Sequence, residues 1–133
     1  MDKGKVLLVE DDMFLRDIYA EVLEKEGYVV LAADDGEAGI RLGKENADAK
    51  IMLLDIMLPK IHGIDVLKEL KSDATTKNMT IVVLTNLTEE SIMQEALHLG
   101  AAGYLVKVHY TPPQVVEKVN EFIASSAKPT AAV

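Results

Sequence analysis

Five times along this chain a short unbroken apolar run reaches a turn and gives way to a helical pattern. Residues 5–9, Lys5-Val6-Leu7-Leu8-Val9, form the first run, bounded by Gly4 and by acids. It is too short for a helix and partly β-branched, so it predicts a buried strand. Runs at 28–33, 51–54, 81–84 and 104–106 predict four more. Between them, Phe14, Leu15, Ile18, Tyr19, Val22 and Leu23 step by three and four, the spacing of one helix face. Gly27 stands where a left-handed residue ends such a helix. A second, weaker helix is expected from Glu37 to about Asn46, with Gly39 and Gly43 inside it. Ile64, Val66, Leu67 and Leu70 mark a third. Thr88 is expected to cap a fourth that runs to Leu99, with Glu89 and Glu90 in its first turn. Pro112 and Pro113 open a fifth, with Val115, Val116, Val119, Phe122 and Ile123 as its apolar stripe. Strands that are apolar throughout, rather than alternating, have both sheet faces covered. The pattern predicts an α/β fold: a doubly wound parallel sheet of five strands flanked by five helices.

The 133 residues suit one domain, expected over 1–124, with 125–133 as a C-terminal tail or linker stub. Cysteine is absent, which excludes thiolate catalysis, Cys-ligated zinc and a disulfide scaffold. The net charge is −8, and no Lys/Arg cluster offers the counterion release that duplex binding needs. Direct nucleic-acid binding is therefore not expected. The apolar run 6–9 is too short for a signal segment, and no stretch reaches the ~18 apolar residues of a membrane span. A soluble, cytoplasmic chain is the expectation.

In open α/β sheets, chemistry gathers outside the carboxyl ends of the strands. The first strand ends at Glu10, Asp11 and Asp12, the third at Asp55, the fourth at Thr85 and the fifth at Lys107. Carboxylates, a hydroxyl and an ammonium thus aim at one edge. Acids gathered there repel one another unless a hard cation neutralises them, and oxygen-only ligation suits Mg²⁺. Asp55, an acid of the first strand's end and a backbone carbonyl near Met57 can supply the protein's ligands. A phosphoryl group on Asp55 would then meet Thr85 and Lys107, giving transfer by positioning and charge neutralisation. Taken singly, an acid run is more often a cap or a solvated loop, and a Thr or Lys after a strand is usually structural. The joint placement at four strand ends carries the reading. His62, His98 and His109 show no metal-pair spacing and are expected at the surface.

VLLVEDD, LLDIMLPKIHG, VVLTN and GAAGYLVK resemble, in order, the acidic-pair, phosphoacceptor, switch-hydroxyl and lysine motifs of response-regulator receiver domains. Pro59 and Gly63 also stand in place, and the likeness covers residues 5–123. The resemblance implies a flavodoxin-like strand order 2-1-3-4-5 and a phosphoacceptor switch in a two-component or phosphorelay system. It implies Asp55 as the phosphorylation site, Mg²⁺ on Asp11, Asp55 and the Met57 carbonyl, and Glu10 acting through water. Thr85 and Tyr104 take the switch positions, and Lys107 pairs with the phosphoryl charge. The implied donor is a phosphohistidine on a sensor histidine kinase or phosphotransfer protein. The output face would lie on the fourth helix, fifth strand and fifth helix, toward a downstream protein or a fused output domain. A homodimer through the last two helices is left open.

Three positions depart from the family's pattern. Val108 stands where Pro usually follows the lysine. A cis bond before Val costs about 2.5–4 kcal/mol, so Lys107–Val108 is expected to be trans, with the loop through His109 and Tyr110 rerouted. Asn86 replaces a small residue and is expected to narrow access to Asp55. Leu87 cannot orient an attacking water, so a long-lived aspartyl phosphate is expected. A haloacid-dehalogenase-like phosphatase needs a second Asp two residues after the nucleophile, where this chain has Met57. A P-loop NTPase needs a Gly-Lys-Ser/Thr motif that is absent. A receiver that no longer accepts phosphate is the remaining alternative, against which Asp11, Asp55, Thr85 and Lys107 stand.

Overall fold

The computed structural model describes residues 2–127. Five strands, β1 (Lys5–Val9), β2 (Val29–Ala33), β3 (Ile51–Leu54), β4 (Ile81–Thr85) and β5 (Gly103–Val106), alternate with five helices. These are α1 (Met13–Glu26), α2 (Gly36–Glu45), α3 (Gly63–Ser72), α4 (Glu90–His98) and α5 (Pro112–Ala127). The sheet is parallel throughout, in the order β2-β1-β3-β4-β5.

The unbroken apolar strands have the cause expected of them. Leu7, Val9, Met52, Leu54, Ile81 and Val83 pack on one face with residues of α2, α3 and α4. Val6, Leu8, Ile51, Leu53, Val82 and Leu84 pack on the other with α1 and α5. β1, β3 and β4 are therefore buried on both sides, and edge strand β2 is largely not.

The interior glycines of α2 mark close approach to its neighbours. A Cβ on Gly39 would lie 2.9 Å from Val9 of β1, and one on Gly43 would lie 2.9 Å from Leu70 of α3. Gly27 ends α1 at φ 113° as expected, and its N–H bonds the carbonyls of the last turn.

Two boundaries differ from the sequence reading. Thr88 does not cap α4; the helix starts at Glu90, after Glu89, with no side-chain cap. The Leu87 peptide is held at both ends: its N–H donates to Thr85 Oγ1 (3.3 Å) and its carbonyl accepts from the Tyr104 hydroxyl (2.7 Å). The chain is still extended at Glu89, with φ −63° and ψ 120°. At the C-terminus, α5 runs to Ala127, beyond the expected boundary at 124, and Ser126 shares a 2.7 Å hydrogen bond with Thr80. The rest of the expected tail, 128–133, lies outside the described residues.

The loop after β3 is set by two tight features. Lys60 has φ 68°, and the Ile61 N–H donates to the Pro59 carbonyl across it (2.8 Å), a γ-turn in the left-handed region. At Gly63 the first turn of α3 lies against the backbone that carries Asp55. A Cβ there would lie 2.3 Å from the Asp55 carbonyl oxygen and 2.5 Å from Ile56 Cα. Neither backbone atom can yield without moving the site. Gly63→Ala is expected to cost about 2–3 kcal/mol in urea unfolding, the scale of overpacking in a tight interior. An unchanged midpoint would contradict this contact.

Candidate functional site

β1 and β3 are neighbours, and the chain leaves them toward opposite sides of the sheet, which opens a crevice at their carboxyl ends. Glu10, Asp11, Asp12, Leu15, Asp55, Met57, Thr85, Asn86 and Lys107 line a cavity of about 320 Å³ there. The sequence-predicted residues are thus gathered at one place, except Tyr104.

Asp55 follows β3 in register: its N–H donates to the Val9 carbonyl (3.0 Å), extending the ladder by one bond. Its side chain is buried. Oδ1 accepts from the Met57 N–H (3.2 Å), and Oδ2 accepts from Lys107 Nζ (2.7 Å). Glu10 is equally enclosed. One carboxylate oxygen lies 2.5 Å from Lys107 Nζ, and the other accepts from the Asp12 N–H (3.1 Å). Both oxygens of Glu10 therefore have protein partners. The ion pair to Lys107 gives Glu10 a role that its place beside Asp11 in the sequence did not reveal.

Burial pushes the Glu10 carboxyl up, and the hydrogen bond and charge of Lys107 offset only part of that. For Lys107, burial acts to lower the pKa. The bonds and charges of Asp55 and Glu10 outweigh it and hold the ammonium above its ordinary value. Lys107 thus stays charged. An ammonium has three donors, and two are committed to Asp55 and Glu10.

Asp12 is the α1 cap: its Oδ1 accepts from the Leu15 N–H (3.0 Å). The acid run therefore divides into a lysine partner, an exposed acid and a cap. Asp11 and Asp12 are both exposed, and Asp11 is the one that caps no helix. One ligand oxygen from each of Glu10, Asp11 and Asp55 fits within a 4.8 Å cluster. Three acids against one ammonium leave an excess of negative charge, and the donors are all oxygen. That set fits a hard divalent cation.

Thr85 is buried at the end of β4, with Oγ1 accepting from the Leu87 N–H. Tyr104 is half-buried, and its hydroxyl reaches the carbonyl of that same Leu87. Burial, with the Asp55 charge behind it, raises the Tyr104 pKa, so the phenol remains a donor. The Leu87 side chain packs against the core instead of lining the cavity.

Lys107–Val108 is trans, as expected, and residues Lys107–His109 form a 3₁₀ turn. The Val108 N–H donates to Asn86 Oδ1 (3.1 Å). The three histidines are exposed, but His62 has a structural task that the sequence reading missed. Its Nδ1 accepts from the Ile64 N–H (3.2 Å) and caps α3. A His followed by Gly at a helix start was the available signal.

The excess of acid yields a test. Asp11→Asn removes one of the mutually repelling carboxylates. It is expected to raise the thermal midpoint in metal-free buffer and to abolish the further rise expected of the wild type when a divalent cation such as Mg²⁺ is added. A variant that still gains as much from Mg²⁺ would contradict the placement of Asp11.

Comparisons with known proteins show the family. The response regulator receiver domain model matches residues 6–120. The transcriptional regulatory protein CpxR of Klebsiella pneumoniae is 42% identical over 104 residues, covering 78% of this chain and 43% of CpxR. The chain spans about half the length of the curated relatives it matches. A CheY-like receiver domain from Methanospirillum hungatei superposes with TM-score 0.83 at 27% identity, covering 92% of this chain and 95% of that one. The Mn²⁺-bound form of the response regulator Rcp1 superposes with TM-score 0.77 at 26% identity, covering 96% and 97%. The chain belongs to the response regulator receiver domain family, the signalling domain of two-component systems.

Proposed function

We propose that Asp55 is the phosphoacceptor of this receiver domain and that Asp11, Asp55 and the Met57 carbonyl hold Mg²⁺ beside it. The observation that carries this reading is the Lys107 ammonium, bonded to Asp55 and Glu10 in the cavity that Asp11 and Thr85 also line. A response regulator of the same fold has a Mn²⁺-bound form, which supports a divalent cation on this domain. When bound, the cation neutralises charge on the acids and on the entering phosphoryl oxygens.

The donor is a phosphohistidine on a sensor histidine kinase or phosphotransfer protein. An Asp55 carboxylate oxygen attacks phosphorus, the P–N bond breaks, and the pair of electrons leaves with the imidazole, which takes up a proton. The product is an acyl phosphate. Lys107 turns from Asp55 to a phosphoryl oxygen while Glu10 keeps hold of its ammonium. The Thr85 hydroxyl donates to another phosphoryl oxygen. Thr85 and Tyr104 both grip the Leu87 peptide, so a shift of Thr85 reaches Tyr104 through one residue. That route carries the signal to α4, β5 and α5, where a downstream protein or a fused output domain is contacted. The chain is a signalling domain whose chemistry is limited to its own phosphorylation and dephosphorylation. A cytoplasmic setting fits the absence of cysteine and of any long apolar helix among the described residues.

Incubation with Mg²⁺ and phosphoramidate tests this. Intact mass should show one added phosphoryl group, lost in Asp55→Asn. Sustained phosphate release would mark a phosphatase, and no adduct would mark a silent interaction module. Once the donor is removed, the adduct should decay faster in Leu87→Glu, because a carboxylate is costly in the core packing that holds Leu87 and, turned out toward the cavity, offers an oxygen to an incoming water. Equal decay would contradict the role of Leu87 in phosphoryl lifetime.

A further inference from the structure

The two departures from the family pattern nearest Lys107, Asn86 and Val108, meet in space. The Val108 N–H donates to Asn86 Oδ1 at 3.1 Å, across 22 residues of sequence. Val108 is the second residue of the 3₁₀ turn that Lys107 opens, where no helical partner serves its N–H. Its side chain is 76% exposed and packs on little. What this residue gives the site is therefore its N–H, which a proline would lack. Asn86 sits between Thr85 and Leu87 and lines the site cavity. It spans the gap between the β4–α4 and β5–α5 connections, at the mouth of the cavity.

We propose that Asn86 is a positioning residue for phosphoryl transfer, acting through the Val108 N–H to fix the main chain that aims Lys107. This rests on the phosphoacceptor reading of Asp55 and deepens it. Asn86 and Val108 are one device, in which a side-chain acceptor on one connection and a main-chain N–H on the other tie the two together. The tie also joins the connection that follows Lys107 to the one that follows Thr85, so the main chain behind both groups is held by one hydrogen bond.

The experiment compares wild type, Asn86→Ala, Val108→Pro and the double variant. The rate of adduct formation with saturating Mg²⁺ is followed against phosphoramidate concentration. Each single variant should lower the maximal rate about 3- to 10-fold, the scale of one hydrogen bond. Half-saturation by phosphoramidate and the Mg²⁺ dissociation constant should stay as in wild type. The double variant should be no slower than the slower single one, because both changes remove one bond. In metal-free protein, hydrogen exchange at the Val108 amide should quicken in Asn86→Ala. Single effects that multiply in the double variant would overturn the coupling. Unchanged rates in Asn86→Ala, or a loss confined to Mg²⁺ affinity, would overturn the positioning role alone. Absence of any adduct in the wild type would overturn this proposal together with the phosphoacceptor reading.

Discussion

One buried ammonium holds the site together. Lys107 lies between Asp55 and Glu10, and all three side chains are nearly excluded from solvent. Taking any of them out of water alone is costly, and removing one partner leaves an uncompensated charge behind. Together they are mutually satisfied. No buried side-chain nitrogen or oxygen among the described residues lacks a partner. The arrangement is also poised to change, since Asp55 shares its cation with Glu10. Lys107 can release Asp55 without losing every partner, and a phosphoryl group on Asp55 would bring new oxygens within its reach.

The sheet exists, for this purpose, to deliver those groups to one edge. β1, β3 and β4 supply Glu10, Asp55 and Thr85 from adjacent places, and β5 brings Lys107 from the flank. Their burial on both faces makes the edge rigid. Gly63 then lets the start of α3 lie against the backbone of Asp55 and Ile56, where no side chain would fit. Positioning of this kind is the larger part of what a phosphoryl acceptor needs, because there is little covalent chemistry for the protein to perform.

Most of the fold was readable because its signals are local. Unbroken apolar runs such as 51–54 and 81–84 show two-sided burial, and the three-four spacing in α1, α3 and α5 shows helix faces. The polar residues at strand ends then follow from topology. What stayed hidden depends on partners distant in sequence. Thr88 has the composition of a cap, yet Tyr104 reaches across from β5 to hold Leu87, and α4 starts later. Gly39 and Gly43 weaken a helix read alone, but they serve close packing against Val9 and Leu70. Glu10 reads as a partner of the metal through water, and nothing local shows that Lys107 and the Asp12 N–H occupy its two oxygens. Val108 and Asn86 look like separate irregularities until the hydrogen bond between them is seen.

With Asp55 as phosphoacceptor, Lys107 would exchange Asp55 for the phosphoryl group while remaining bound to Glu10. A crystal structure with Mg²⁺ and beryllofluoride, a stable mimic of the phosphoryl group, tests it directly. The expected result is beryllium bonded to an Asp55 carboxylate oxygen, with Lys107 Nζ hydrogen-bonded to fluoride and to Glu10. Beryllofluoride on another residue, or Lys107 still held by the Asp55 carboxylate with no contact to fluoride, would contradict it.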